Sequence, residues 1–373
     1  MGKFRWIIVL IITLIIAVNP GLAWAAEDEA LEEIQYILSN YYVEEVPLAV
    51  LNAPTIEQAL EALGDEHTKY WTKEDYASFL DNMEPHFAGL GIYIEAVAEG
   101  MRVLAVIEDS PAQLAEIKAG DIILSVNEVA LKGNSAEEGQ KLLMGPENSK
   151  ANLVIKRGNS LLDYTVTRAM IELPTVTGEV IDGHIGYIDI NSFAQNTHRE
   201  FDRLLRDLDK KADVWIVDLR NNTGGYFNTA LALAGYFIGD DVALYMEEKE
   251  YVTEYEAYKQ SIIIDEPVIL LINGNSASSS EILAGALKDH KKAFLVGERT
   301  YGKGSVQSIF ELANGGFLKV TVAHFYSPAM QVINGVGIEP DVEVAGNGAL
   351  DRARLLIGLD ERLRTSGIET ISH

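Results

Sequence analysis

Val268-Ile269-Leu270-Leu271-Ile272 runs without a polar residue into Asn273-Gly274-Asn275-Ser276-Ala277-Ser278-Ser279-Ser280-Glu281, and a helical pattern follows from about Ser279 to Lys288. Five apolar residues with no alternation describe a strand buried on both faces, the kind found inside parallel sheets. A polar turn at the carboxyl end of such a strand lies where open α/β sheets meet their ligands. A serine on that turn also sits beside the free N–H groups of the following helix, which suit an oxyanion. Serines before a helix commonly act only as caps, so this segment alone leaves both readings open.

The same grammar extends outward. Val214 to Leu219 is a second strand of the buried kind, apolar except for Asp218, Gly186 to Ile190 and Phe294 to Val296 are further strands, and Phe317 to Ala323 adds another. Between them, Thr197 to Leu208 places Phe201, Leu204, Leu205 and Leu208 on one helical face, and Thr229 to Ile238 is helical. Alternating strands and helices from about residue 175 predict a layered α/β sheet with helices on its faces. The tail from Ala349 to Arg364 reads as a terminal helix.

Upstream lie two different textures. Glu27 to Tyr42 is amphipathic, with Leu31, Ile34, Ile37 and Leu38 among acids. Thr55 to Leu63 and Thr72 to Asn82 are short helices with threonine caps. Residues 87–168 form a compact module of short strands and helices, entered through Gly89-Leu90-Gly91-Ile92 and closed by a hairpin around Arg157-Gly158-Asn159. The acid-rich run Glu247 to Glu256 reads as a solvated face or loop.

Composition narrows the chemistry. The chain has 373 residues, no cysteine, 30 bases and 56 acids, for a net charge of −26. Without cysteine there is no disulfide scaffold, thiolate zinc, iron–sulfur cluster or thiol nucleophile. So acidic a chain lacks the basic footprint that nucleic acid requires. Lys3 and Arg5 precede an apolar run from Trp6 to Val18 and the small-x-small triplet Ala23-Trp24-Ala25, the anatomy of a secretory leader over residues 1–25. The apolar run is short for a membrane span. The chain is therefore expected to be exported, with membrane association only if the leader is retained.

A nucleophilic serine needs a base. There is no G-x-S-x-G elbow and no H-E-x-x-H among the seven histidines. A lysine can serve when desolvation favours its neutral form. Gly302-Lys303-Gly304 offers one, with small neighbours that permit close approach, although an exposed turn lysine would look the same. Asp218-Leu219-Arg220-Asn221-Asn222-Thr223-Gly224-Gly225 carries a buried strand into polar residues and two glycines, which lets backbone N–H groups approach a ligand.

Taken together, these segments resemble the carboxyl-terminal processing peptidases, also called tail-specific proteases. The serine turn, Asn273 to Ile282, follows the pattern N-x-G-S-A-S-A-S-E-I, and Ala284 to Leu287 continues it as A-G-A-L. Gly297 to Gln307 matches G-E-x-T-x-G-K-G-x-x-Q, Asp218 to Gly225 matches D-L-R-x-N-x-G-G, and Gly335 to Asp341 matches G-x-G-I-E-P-D. Leu63 to Tyr70 fits an early L-G-D-x-H-T-x-Y. Residues 87–168 resemble a PDZ domain, whose carboxylate-binding loop would be Gly89, Leu90, Gly91 and Ile92.

The resemblance implies an α/β (α+β mixed) fold in five parts. These are a leader over 1–25, an N-terminal helical segment over 26–86, an inserted PDZ domain over 87–168, a layered catalytic core over 169–348 and a helical tail over 349–373. It implies Ser278 as nucleophile, Lys303 as general base 25 residues on, and Gln307 to orient the lysine, from the same helical face if that segment is helical. The oxyanion hole would be the N–H of Ser279 and of a glycine in the Gly224-Gly225 pair, Gly224 in the first instance. No metal or other cofactor is implied. The activity would be that of an exported serine endopeptidase cutting proteins at or near their C-termini. Its partners would be protein or peptide substrates with free C-termini; a regulatory protein and a homodimer are compatible with the family, nucleic acid is not. The alternative keeps the fold and loses the chemistry: a catalytically silent PDZ-containing scaffold. Some positions depart from the pattern: Met144 stands where an arginine is usual, Ala329 where a glycine is usual, and Ser279 where alanine is common.

Overall fold

The computed structural model describes residues 20–83 and 86–365. Most of the expected leader, residues 1–19, and the last eight residues of the expected tail lie outside the described residues. The chain forms two compact units. One takes the chain up to Tyr76 with Glu247–Val252 and Ser305–His324; the other takes Ala77–Met246, Thr253–Gly304 and the chain from Phe325. No helix among the described residues is long and apolar enough to cross a membrane.

In the first unit, the helix Pro20–Tyr41 begins seven residues before the expected Glu27. It buries Ile34 and Leu38 against Val50, Ala59, Leu318 and Val320. The helix Ile56–Leu63 starts where Thr55 accepts the N–H of Gln58 and stops at Gly64, whose φ of 71° ends it. The L-G-D-x-H-T-x-Y segment then becomes a fastener. The Asp65 carboxylate accepts from Thr68 Oγ1 at 2.6 Å, Thr321 Oγ1 at 2.6 Å and the His67 N–H at 2.9 Å. Thr68 Oγ1 in turn accepts the N–H of Thr321. Short strand Lys69–Trp71 pairs antiparallel with Phe317–Tyr326, which also pairs with Ser305–Glu311.

Burial pushes the Asp65 carboxyl up, but the hydrogen bonds from Thr321, Thr68 and His67 outweigh it and hold it below its ordinary value. A carboxyl depressed in the folded state stabilises above its unfolded pKa of about 3.9, and that contribution is lost as pH falls through the lower folded value. Asp65→Asn is therefore expected to lower the melting temperature at pH 7 and to do so less at pH 3. Equal shifts at both pH values would contradict this reading.

The second unit is built on a six-stranded sheet in the order Val176–Ile181, Ile185–Ile190, Val214–Asp218, Val268–Ile272, Ala293–Gly297, Val342–Glu343. The first pair is antiparallel and the rest are parallel. Every residue of Val214–Asp218 and of Val268–Ile272 is buried, as central parallel strands are, Asp218 included. On one face, Val214, Ile216, Ile269 and Leu271 pack with Ala353 and Ile357 of the terminal helix Ala349–Thr365. Helix Phe227–Ile238 packs against helix Ser279–Asp289, and both are buried along nearly their whole length.

The module expected at 87–168 is an antiparallel sheet in the order Ile92–Val97, Gly100–Val106, Ile122–Val126, Lys150–Arg157, Ser160–Thr167. It carries the helix Ala136–Leu143, started by a reciprocal capping box between Ser135 and Glu138. Its entry and exit, His86–Gly89 and Ala169–Glu172, pair antiparallel, which is how an insertion returns the chain to its host. Inside it, the buried Asp121 carboxylate is held by both Nε and Nη2 of Arg157 at 2.7 Å.

The acid-rich run, expected as a solvated face or loop, contributes to two strands, Val242–Glu248 and Val252–Glu256. In Val252–Glu256 the side chains alternate between exposed and half-buried, so the acids ride on the wet face of a strand. The segment carrying Gln307 is the strand Ser305–Glu311, so the helical offset from Lys303 to Gln307 does not operate.

Candidate active site

The serine turn is shaped by its own run of hydroxyls. Ser276 Oγ donates to Leu219 O at 2.7 Å, Ser279 Oγ to Gly225 O at 3.1 Å and Ser280 Oγ to Asn222 O at 2.8 Å. The Ala277 N–H adds a bond to Asn222 O. The Asn273 turn is thus stitched along the whole D-L-R-x-N-x-G-G loop. Asn222, itself fully buried, holds that loop to the sheet by donating from Nδ2 to Ile190 O at 2.6 Å.

Ser278 does not take part in this stitching. It sits half-buried at the helix entry with φ 55° and ψ −114°. A non-glycine residue persists in that sparsely populated region only where its surroundings hold it, and such residues gather at functional sites. The N–H of Ser279, at the first helical position, has no intrahelical acceptor. Gly224 passes so close that a Cβ there would lie 2.9 Å from Ser278 Cβ and 2.8 Å from Ala277 O. Its own N–H donates to Asn222 Oδ1 at 2.9 Å.

Glu281 brings the serine and lysine segments together. Its fully buried carboxylate accepts four hydrogen bonds. Oε2 takes the Ser278 N–H at 2.9 Å and the Lys303 N–H at 2.8 Å; Oε1 takes the Gly302 N–H at 2.7 Å and Thr300 Oγ1 at 2.6 Å. Two backbone nitrogens bonded to one oxygen are under about 6 Å apart. The half-buried Lys303 is thereby carried beside Ser278 by a shared anion. Half of this role was readable in advance, because Ser278-x-x-Glu281 has the capping-box spacing. The bonds to Thr300, Gly302 and Lys303 had no local signal.

The glycines flanking Lys303 make room for backbone. A Cβ on Gly304 would lie 2.4 Å from Asn334 N, and one on Gly302 would lie 3.0 Å from Gly337 N. Gly335 N–H donates to Gly302 O, and Phe325 N–H to Gly304 O. Thr300 Oγ1 accepts the Ile338 N–H at 2.7 Å, which fixes the G-x-G-I-E-P-D segment against the lysine segment. Gly304→Ala is accordingly expected to cost about 1–3 kcal/mol through overpacking. Urea unfolding would measure it, and an unchanged midpoint would show that the loop yields freely.

Beside the serine turn, Asp218 anchors the other loop. It accepts from Arg220 Nε and Nη2, the latter at 2.6 Å, and from Tyr187 Oη at 2.8 Å. Burial, with the nearby Asp218 charge, pushes the Tyr187 hydroxyl well above its usual range. Asp189, opposite Asp218 in the parallel register, is likewise raised by burial and then by the Asp218 charge.

A groove lies in the inserted module. About 270 Å³ in volume, it runs between Ile92–Val97 and Ala136–Leu143, lined by Leu90, Ile92, Ile94, Gln140, Leu143 and Met144 among others. The N–H groups of Leu90 and Gly91 have no acceptor among the described residues. Gly91, at φ 77°, leaves no room for a side chain against Ser110.

The peptidase family S41 profile matches residues 184–344, and a PDZ domain profile matches residues 102–157. The carboxyl-terminal-processing protease of Picosynechococcus is 32% identical over 362 residues, covering 89% of this chain and 87% of that protein. The chain belongs to peptidase family S41. This S41 peptidase is also 32% identical to the carboxy-terminal-processing protease of Bartonella bacilliformis over 289 residues, 75% of this chain but only 66% of that protein. Among solved structures, it is similar to a photosystem II D1 C-terminal processing protease, with a TM-score of 0.56, 26% identity and coverage of 86% and 93% of the two chains. It is thus a PDZ-bearing serine peptidase, similar in sequence to carboxyl-terminal processing proteases.

In the peptidase, Ser278, Ser279, Gly224 and Lys303 meet around the strand ends of the central sheet. Gln307 belongs to the first unit, where its Nε2 donates to Ser305 Oγ at 3.0 Å. Met144, in place of the usual arginine, adds an apolar wall to the PDZ groove.

Proposed function

We propose that this S41 peptidase is an exported endopeptidase that captures free protein C-termini in its PDZ groove and cleaves with a Ser278–Lys303 dyad. The single observation that carries the dyad is Glu281 Oε2 accepting the N–H groups of both residues. Neutral Lys303 Nζ takes the Ser278 Oγ proton as Oγ bonds to the peptide carbonyl carbon. The oxyanion rests on the Ser279 N–H. Gly224 can add its N–H only by releasing Asn222 Oδ1; until then it contributes space. The tetrahedral centre collapses, the amine leaves with the proton from Lys303, and water later attacks the ester with Lys303 again as base.

Support for capture comes from the unpaired N–H groups of Leu90 and Gly91 beside an apolar groove, the arrangement that binds a terminal carboxylate and adds the peptide as a strand. Support for export comes from the basic, then apolar, then small-residue leader. The test is cleavage of an unfolded protein with an apolar C-terminus. Wild type is expected to cut it and Ser278→Ala to leave it intact. Equal cleavage by the two would remove Ser278 from the mechanism. Peptide binding with no cleavage by either would favour the silent scaffold.

A further inference from the structure

Among the described residues, Arg168 is the one buried arginine, and none of its partners is a carboxylate. It is 4% exposed. Its Nε donates to Leu143 O at 2.8 Å, Nη2 to Leu142 O at 3.0 Å, and Nη1 to Ser149 Oγ at 3.0 Å and Lys150 O at 3.2 Å. All four acceptors are neutral. Burial lowers its pKa and no acid offsets that, yet a guanidinium stays charged in a protein. The same module's Arg157, by contrast, is matched to Asp121. A buried charge left without a counter-charge is costly.

Its position gives the cost a use. Leu142 and Leu143 end the helix Ala136–Leu143, and their carbonyls form the negative end of its dipole. That end shares the groove with Gly89, Leu90 and Gly91. Gly145 N–H donates to Ala88 O, and a Cβ on Gly145 would lie 3.1 Å from Arg168 Cζ. On the other side, Gly89 pairs with Ala169, the residue after Arg168. A peptide carboxylate on the Leu90 and Gly91 N–H groups would therefore face a helix end that repels it. With Arg168 on those carbonyls, the sign reverses and one positive charge is left over.

We propose that Arg168 is the fixed counter-charge that makes the PDZ groove select a free C-terminal carboxylate over an internal or amidated peptide segment. This rests on the groove's capture of C-termini proposed above. Arg168 acts as a specificity-determining residue through its field, without touching the ligand.

The test compares two versions of one apolar decapeptide, free acid and carboxamide, binding to the full chain carrying Ser278→Ala so that nothing is cut. The parent is expected to prefer the acid by at least about tenfold. Arg168→Met is expected to bring that preference close to one, and Arg168→Lys, which keeps the charge, to retain most of it. If Arg168→Met does not fold, Arg168→Gln removes the charge while keeping donors for the helix carbonyls, with the same loss of preference expected. An equal weakening of both peptides, with their ratio preserved, would make Arg168 a structural cap only and overturn the inference. A parent that binds both peptides equally would overturn the capture reading itself, and the inference with it.

Discussion

Lys303→Met is expected to lower kcat by at least about a thousandfold while the protein still folds and melts near the wild-type temperature. Methionine keeps much of the apolar stem of lysine but offers no amine to take the Ser278 proton. The Lys303 N–H, which bonds Glu281, belongs to the backbone and survives the substitution. Structure and chemistry can thus be separated at this position. The double variant Ser278→Ala/Lys303→Met should lose little beyond either single change, because residues acting as a unit are not additive. A Lys303→Met enzyme with near wild-type kcat would remove Lys303 from the mechanism.

Glu281 is expected to be as consequential and by a different route. Glu281→Ala strands the Gly302 N–H and the Thr300 hydroxyl in a buried place, and the N–H groups of Ser278 and Lys303 in a part-buried one. Each buried unsatisfied donor costs about 1–3 kcal/mol before relaxation. Losses of about 3–5 kcal/mol are therefore expected in denaturant unfolding. Glu281→Gln preserves volume but sets an NH2 group against donors on one side of the carboxylate. Depending on how the amide turns, either the Ser278 and Lys303 pair or the Thr300 and Gly302 pair loses its acceptor. That variant should remain folded and still lose at least about tenfold in kcat, with a smaller change in KM, since misplacing reacting groups is costly to rate. A Glu281→Gln enzyme with unaltered kcat would show that the serine and lysine segments hold their places without this anion.

The serine turn and the PDZ groove follow one physical logic. At the serine turn, a buried anion gathers N–H groups and so positions a nucleophile and a base. At the PDZ groove, a buried cation gathers carbonyls at a helix end. The first arrangement is internally matched, four donors on one carboxylate. The second leaves charge unmatched, which is why it is there that an incoming carboxylate is expected to be felt.

What the residues alone established was local. The apolar runs Val214 to Val217 and Val268 to Ile272 announced a sheet buried on both faces. Threonine and serine caps at Thr55 and Ser135 marked helix starts, because a cap bonds N–H groups only two or three positions away. Glycines around Lys303 announced a close approach without saying what approached. Tertiary structure decided the rest. Gln307 lies on a strand, because pairing with Phe317–Tyr326 prevailed over any helical tendency of its segment. Gly224 N–H bonds Asn222, and the backbone near Asn334 fills the space beside Gly304. Glu281 collects donors 19 to 22 residues away as well as its capping partner. A pattern of spacing can reveal what a residue does within one turn of chain; which distant donor or acceptor satisfies a buried polar group is chosen only when packing has removed water from both.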